Sequence, residues 1–142
     1  MYQNNNSFDM FGKTALITGA AGMLGLAHCK ALLAIGAQVI LTDLDVAALN
    51  KAEAILAQSG ATGKFQCFVM DVSSEDSVMG VYSELEALNV RVDVLVNNAA
   101  INPTATSLVN GTRTTRLENF SLERWNVEIS VGITGAFLCS KI

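Results

Sequence analysis

A short apolar run, Lys13-Thr14-Ala15-Leu16-Ile17-Thr18, leads straight into Gly19-Ala20-Ala21-Gly22-Met23-Leu24-Gly25. A helical pattern then runs from Met23 to Ile35, with Leu24, Cys29 and Leu32-Leu33 among its apolar positions. No other feature constrains the fold as tightly. A strand buried on both faces, a glycine-punctuated turn and a helix starting on that turn form the first half of a βαβ unit. The glycines stand in a G-x-x-G-x-x-G spacing. Gly19 permits the sharp turn leaving the strand, Gly22 lets backbone approach a ligand, and Gly25 allows close helix–sheet packing. The helix start offers unpaired N–H groups and the positive end of a dipole, which suits a pyrophosphate. An ordinary tight βα turn is the competing explanation of three glycines alone.

The rest of the chain repeats the alternation. Strands are predicted at Gln38–Thr42, Phe65–Met70 and Val92–Val96, and helices at Asp45–Ser59, from Ser73-Ser74-Glu75-Asp76 to about Leu88, and from Ser121 through Trp125, Ile129, Ile133, Phe137 and Leu138. Gly36 and Gly60 stand where the first two helices should stop. The Ser73–Asp76 stretch has the form of a capping box. Residues 1–9 read as a flexible tail, and Asn102 to Phe120 as a long polar loop. Strands alternating with helices require right-handed crossovers and a parallel sheet. The last helix reaches Ile142 with no stop residue, so the sequence end reads as an interruption of residues 10–142, not a domain boundary.

Composition removes several classes. Hydrophobic residues make up 51% and charged residues 15%, which is a packed chain and not a disordered one. A net charge of −4 argues against a nucleic-acid partner, which needs clustered cations. No apolar run is long enough to span a bilayer, and Met1–Ser7 lacks the apolar core of a signal peptide. Cys29, Cys67 and Cys139 are far apart in sequence and read as thiols in a reducing cytoplasm. With His28 the single histidine, no metal site is expected.

Asp43 follows the second strand, about 20 residues beyond the glycines, where a carboxylate would accept hydrogen bonds from an adenosine ribose. It would repel a 2′-phosphate, so NAD is expected over NADP. No Arg or Lys lies within Gly19–Gly25 or Leu41–Asp45 to reverse that. Asp43 or Asp45 alternatively caps the next helix. Asp71 is a second candidate contact, for adenine, with a loop-capping role equally compatible with its position.

Asp93-Val94-Leu95-Val96-Asn97-Asn98-Ala99-Ala100, added to Thr18-Gly19 and Met70-Asp71-Val72, closely resembles the short-chain dehydrogenase/reductase family, from Phe11 to Ile142. The resemblance implies an α/β Rossmann-type fold, a doubly wound parallel sheet in three αβα layers, of which this is the N-terminal portion. It implies NAD and hydride transfer between nicotinamide and an alcohol or carbonyl substrate. Gly19, Gly22, Met23, Leu24 and Gly25 would hold the pyrophosphate, Asp43 the ribose, and Asp71 with Val72 the adenine. Asn98, Ala99 and Ala100 would line the nicotinamide side, although Asn97 and Asn98 equally suit amides tying strand ends together.

Three departures stand out. Met23 replaces the usual middle glycine, a spacing that resembles the extended sugar-nucleotide epimerases and dehydratases, whereas Asn-Asn-Ala-Ala is of the classical type. Gly132 stands where the family has an asparagine of the proton relay. The catalytic serine and Tyr-x-x-x-Lys pair have no counterpart, since neither Tyr2 nor Tyr82 has a lysine four residues later. No catalytic residue is therefore assigned, and the chain alone is expected to bind NAD weakly and not to turn over. A narrower resemblance links it to oxidoreductases of flagellin-glycan and nonulosonic-acid pathways. The alternatives are an extended-type epimerase or dehydratase and a non-catalytic dinucleotide-binding module. Arg113 and Arg116 are candidates for an anionic or polyhydroxylated substrate, or plain surface cations. Family members usually pair through the last helix seen here and the one after it, which implies a homo-oligomer, a dimer or tetramer.

Overall fold

Thr14, Ala15, Leu16, Ile17 and Thr18 are all buried, and this residue run forms the central strand β1 (Thr14–Thr18). The computed structural model describes residues 9–60, 63–101, 108–109, 112–113 and 116–142. In chain order β1 is followed by α1 (Met23–Ala34), β2 (Gln38–Asp43), α2 (Val46–Gln58), β3 (Phe65–Val69), α3 (Glu75–Ala87) and β4 (Val94–Val96). The four strands form one parallel sheet in the order β3-β2-β1-β4. The chain steps outward from β1 to β3, then returns across to β4. This reversal opens a crevice between the carboxyl ends of β1 and β4, where open α/β sheets bind ligands.

Side chains alternate between the two faces, as the two-residue period of a strand requires. Ile17, Leu41, Cys67 and Val96 pack toward Cys29 and Leu33 of α1 and Leu49, Ala52 and Leu56 of α2. Leu16, Ile40, Phe68 and Leu95 pack toward Val78, Val81 and Leu85 of α3 and Leu138 near the end of the chain. Two helical layers thus enclose the sheet. Leu33 is fully buried, and truncating such a side chain to alanine costs about 2–5 kcal/mol. At the opposite sheet end, Asp93 accepts hydrogen bonds from Thr14 N–H and Lys13 Nζ at 3.0 Å each. The Thr14 N–H, then the Lys13 ammonium, hold its carboxyl below the usual 3.8.

The predicted strands and helices before Val96 are all present. Gly36 and Gly60, at φ +89° and +68°, follow α1 and α2 as expected. Some boundaries differ. β4 starts at Val94 and not Val92, because Asp93 is engaged in pinning β1. The cap of α3 is Ser74, whose hydroxyl accepts from Ser77 N–H, so Asp76 does not close a reciprocal box. The expected tail, apart from Asp9, lies outside the described residues.

Within the expected loop, Leu108–Val109 (β5) pairs antiparallel with Thr112–Arg113 (β6), and a 3-10 turn spans Leu117–Asn119. The Asn-Gly dipeptide at 110–111 is a sequence signal for such a hairpin. Ser121 caps α4 (Leu122–Ile129), as predicted. The last helix is interrupted, however, by a π turn at Ser130–Thr134 before α5 (Gly135–Lys141). A π turn carries an extra residue and rotates the face that follows it. Gly135 thereby meets Val72 so closely that a Cβ there would lie 2.8 Å from its side chain. Among the described residues, no helix is long and apolar enough to cross a membrane.

Candidate dinucleotide site at the β1–α1 turn

Asp45, Ser74 and Ser121 cap α2, α3 and α4 with their side chains. The N-cap of α1 is Gly22, which has no side chain to do so. The turn before it is bonded to β2 and to itself. Ala20 N–H donates to Thr42 O at 3.0 Å, Ala21 N–H to Asp43 Oδ2 at 3.1 Å and Gly22 N–H to Gly19 O at 3.3 Å. The first helical bond is Leu26 N–H to Gly22 O at 2.9 Å. Met23, Leu24 and Gly25 N–H thus make no bond among the described residues. Three donors and a dipole end point out of the first turn of a 12-residue helix. The Met23 and Leu24 side chains around them are 86% and 62% exposed.

The three glycines are needed for different reasons. Gly19 has φ +61°, a left-handed conformation, and a Cβ on it would lie 2.9 Å from Ala99 Cα. On Gly25 a Cβ would fall 2.3 Å from Gly19 O and 2.6 Å from Ala20 Cα, so this position packs against the turn's own backbone. Gly22 is unlike both. Its φ is −72°, and a Cβ there would meet only Gly19 O at an ordinary 3.4 Å. Nothing in the described fold requires glycine at 22, whereas a close-lying ligand would.

Thr18 joins this turn to the end of β4. Its Oγ1 accepts from Asn98 N–H and Ala99 N–H, both at 3.0 Å. It lies 3.4 Å from Val96 O, to which it donates. The Asn98 side-chain amide donates to Thr18 O and Gly19 O, both at 3.0 Å. Of the two roles open to Asn98, its amide nitrogen takes the tie between strand ends. Asn97 Nδ2 reaches Ser140 Oγ at 3.3 Å and ties the same loop to α5. Ala99 is half-buried against the turn and Ala100 is exposed beside it. The Thr18 hydroxyl escaped the sequence reading because its partners are backbone groups about eighty positions away in sequence.

The carboxylates divide their work. Asp45 caps α2, accepting from Ala47 and Ala48 N–H at 2.8 and 3.1 Å. Asp43, half-buried at the end of β2, accepts from Ala21 and from Asp45 N–H. Asp71 Oδ1 accepts from Ser73 N–H at 2.9 Å and Ser73 Oγ–H at 2.6 Å, the loop-capping arrangement. The Val72 side chain is buried in the core.

The sequence and fold are similar to those of known proteins. The family model of the short chain dehydrogenases matches residues 13–142. The chain belongs to the short-chain dehydrogenase/reductase family. It is 37% identical to a short chain dehydrogenase/reductase of Macrophomina phaseolina over 94% of its own length and 71% of that protein's. It is 33% identical to the D-threitol dehydrogenase of Mycolicibacterium smegmatis, over 92% and 46% of the two lengths. The crystal structure of an NAD+-bound xylitol dehydrogenase superposes with a TM-score of 0.76 at 30% identity, covering 93% of this chain and 46% of that one. The chain thus spans about half the length of most such relatives.

Tyr82 is the tyrosine among the described residues. Tyr82 on α3 donates to Glu86 Oε1 at 2.9 Å, and that bond, then the Glu86 charge, raises its phenol above the ordinary 10.0. A general base needs the opposite shift. Tyr2 lies outside the described residues. Arg116 pairs with Glu118 at 3.4 Å on the exposed surface, and the Arg113 side chain lies outside the described residues.

Proposed function

We propose that this chain is the cofactor-holding part of an NAD-dependent oxidoreductase that interconverts an alcohol and a carbonyl. The observation that carries the reading is the uncapped start of α1, with Met23, Leu24 and Gly25 N–H making no bond among the described residues, beside a glycine whose missing side chain nothing in the described fold explains. A diphosphate supplies acceptors and charge for both. Gly19 to Gly25 hold it, Asp43 receives the adenosine ribose, Asp71 and Val72 flank adenine, and Asn98, Ala99 and Ala100 border the nicotinamide. When bound, the nicotinamide supplies the hydride acceptor or donor. The chain's own residues bind and orient it and leave no acid/base group assigned, so the 142 residues alone do not turn over.

The relatives named for xylitol and D-threitol support a small polyhydroxylated alcohol as substrate class. The unpaired thiols Cys29, Cys67 and Cys139 support a reducing cytoplasm as its location. Trp125, Ile133 and Phe137 are exposed along α4, the π turn and α5, and support self-association there.

Calorimetric titration with NAD and NADP tests the cofactor. NAD should bind, with NADP weaker by on the order of tenfold or more, because the Asp43 carboxylate faces the 2′-phosphate. Equal or tighter NADP binding would overturn that preference. A measurable steady-state dehydrogenase rate would overturn the claim of inactivity.

A further inference from the structure

Beyond the strand ladder, three hydrogen bonds join the end of β2 to β1 and the glycine turn. Thr42 Oγ1 donates to Ile17 O at 3.1 Å, Ala20 N–H donates to Thr42 O at 3.0 Å, and Ala21 N–H donates to Asp43 Oδ2 at 3.1 Å. The first two survive any substitution at position 43. The third depends on the Asp43 side chain alone. The other oxygen of that carboxylate accepts from Asp45 N–H at 3.2 Å, at the junction where Asp45 caps α2. The carboxylate is therefore fixed from both sides with no ligand involved, and it fixes Ala21, the residue immediately before the Gly22 cap of α1.

We propose that Asp43 is a positioning residue for the glycine turn, so that a carboxylate strengthens the binding of an anionic diphosphate. This rests on the dinucleotide reading of the site. An ionised carboxylate has about four acceptor positions. Two hold backbone N–H groups here, and two remain for a ribose diol. If the carboxylate is removed, Ala21 N–H loses its acceptor and the turn gains freedom that a ligand must then remove. Charge alone predicts the reverse, because deleting a negative group beside a diphosphate should tighten binding. A role confined to the ribose predicts no effect on a ligand without ribose hydroxyls.

ADP and 2′,3′-dideoxy-ADP separate these cases when titrated against the wild-type chain, Asp43→Ala and Asp43→Asn. Loss of a charge-assisted hydrogen bond should weaken dideoxy-ADP binding about tenfold in Asp43→Ala. ADP should fall further. Asp43→Asn keeps an acceptor of the same shape and should restore much of the dideoxy-ADP affinity. Without ligand, hydrogen exchange at the Ala21 amide should quicken about tenfold in Asp43→Ala and less in Asp43→Asn.

Unchanged or tighter dideoxy-ADP binding in Asp43→Ala would overturn the proposal, as would unchanged Ala21 exchange. If the wild-type chain binds neither nucleotide, the dinucleotide reading fails by itself, and Ala21 exchange alone decides whether Asp43 holds the turn. If Asp43→Ala does not fold, the isosteric Asp43→Asn supplies both readouts, with a smaller loss in each supporting the proposal and no loss contradicting it.

Discussion

Thr18 and Asn98 hold each other through reciprocal hydrogen bonds: the Asn98 amide donates to Thr18 O at 3.0 Å, and Thr18 Oγ1 accepts from Asn98 N–H at 3.0 Å. Because the same amide also donates to Gly19 O, and Thr18 Oγ1 also accepts from Ala99, the pair locks the glycine turn to the β4 end. Thr18, 1% exposed, thus joins the two sides of the proposed cofactor site.

Thr18→Val keeps the shape of the side chain and removes that acceptor, leaving two backbone N–H groups without it. Urea unfolding should show a loss of about 2–3 kcal/mol. Thr18→Ser keeps the hydroxyl and loses only a methyl, so it should cost roughly 1 kcal/mol. Equal losses in the two variants would mean that packing, not hydrogen bonding, dominates at this position.

Gly22 and Gly25 should respond oppositely to alanine. Gly25→Ala drives a Cβ into Gly19 O and Ala20 Cα, both backbone, and should lower the unfolding free energy by several kcal/mol, of the order seen for overpacking and strain. Gly22→Ala meets only an ordinary contact, so its stability should stay within about 1 kcal/mol of wild type or rise slightly. Its NAD affinity should nevertheless fall, because the added methyl occupies the face offered to the diphosphate. Paired unfolding and binding curves for the two variants check this, and full NAD affinity in Gly22→Ala would remove the reason for glycine there.

Burial, then the neighbouring Cys67, raises the Cys29 thiol from 9.0 to about 12, and burial, then Glu53, raises Cys67 to about 11. Both pKa values are higher in the folded state, so their contribution to stability is complete below pH 9 and is lost as pH rises toward 11 and 12. Cys29→Ala should therefore show a shallower decline of stability above pH 9 than wild type. At pH 8, labelling of Cys29 by a thiol reagent should proceed only through unfolding. Immediate labelling of the native chain at Cys29 would contradict this burial.

Leu138 packs into the core, whereas Phe137 beside it is 62% exposed and Ile133 one turn earlier is 64% exposed. Replacing both with glutamate should leave the unfolding midpoint nearly unchanged, since neither is part of the core. It should shift the sedimentation profile toward monomer if this face carries the self-association proposed above. An unchanged profile would place any contact elsewhere.

The sheet and the glycine turn were legible because each is written in local pattern. Buried strands read as apolar runs, Gly36 and Gly60 mark helix stops, and Asp43, the last residue of β2, stands about 20 residues beyond the glycines. What escaped was carried by groups with no sequence pattern. The Asp43–Ala21 and Thr18–Ala99 bonds use backbone N–H groups, which every residue but proline possesses. Asn98 was legible as important, but which way its amide turns is decided by the Thr18 and Gly19 carbonyls. The π turn at Ser130–Thr134 was hidden because its residues have no preference that separates it from an α-helix.

Titrating NAD into the isotopically labelled 142-residue chain while following each backbone amide tests the proposed site most directly. The largest saturable shifts should fall on Met23, Leu24 and Gly25, with smaller ones at Ala99 and Ala100. Absence of saturable shifts at Met23–Gly25 at millimolar NAD, or shifts concentrated on another part of the fold, would contradict a dinucleotide site at the start of α1.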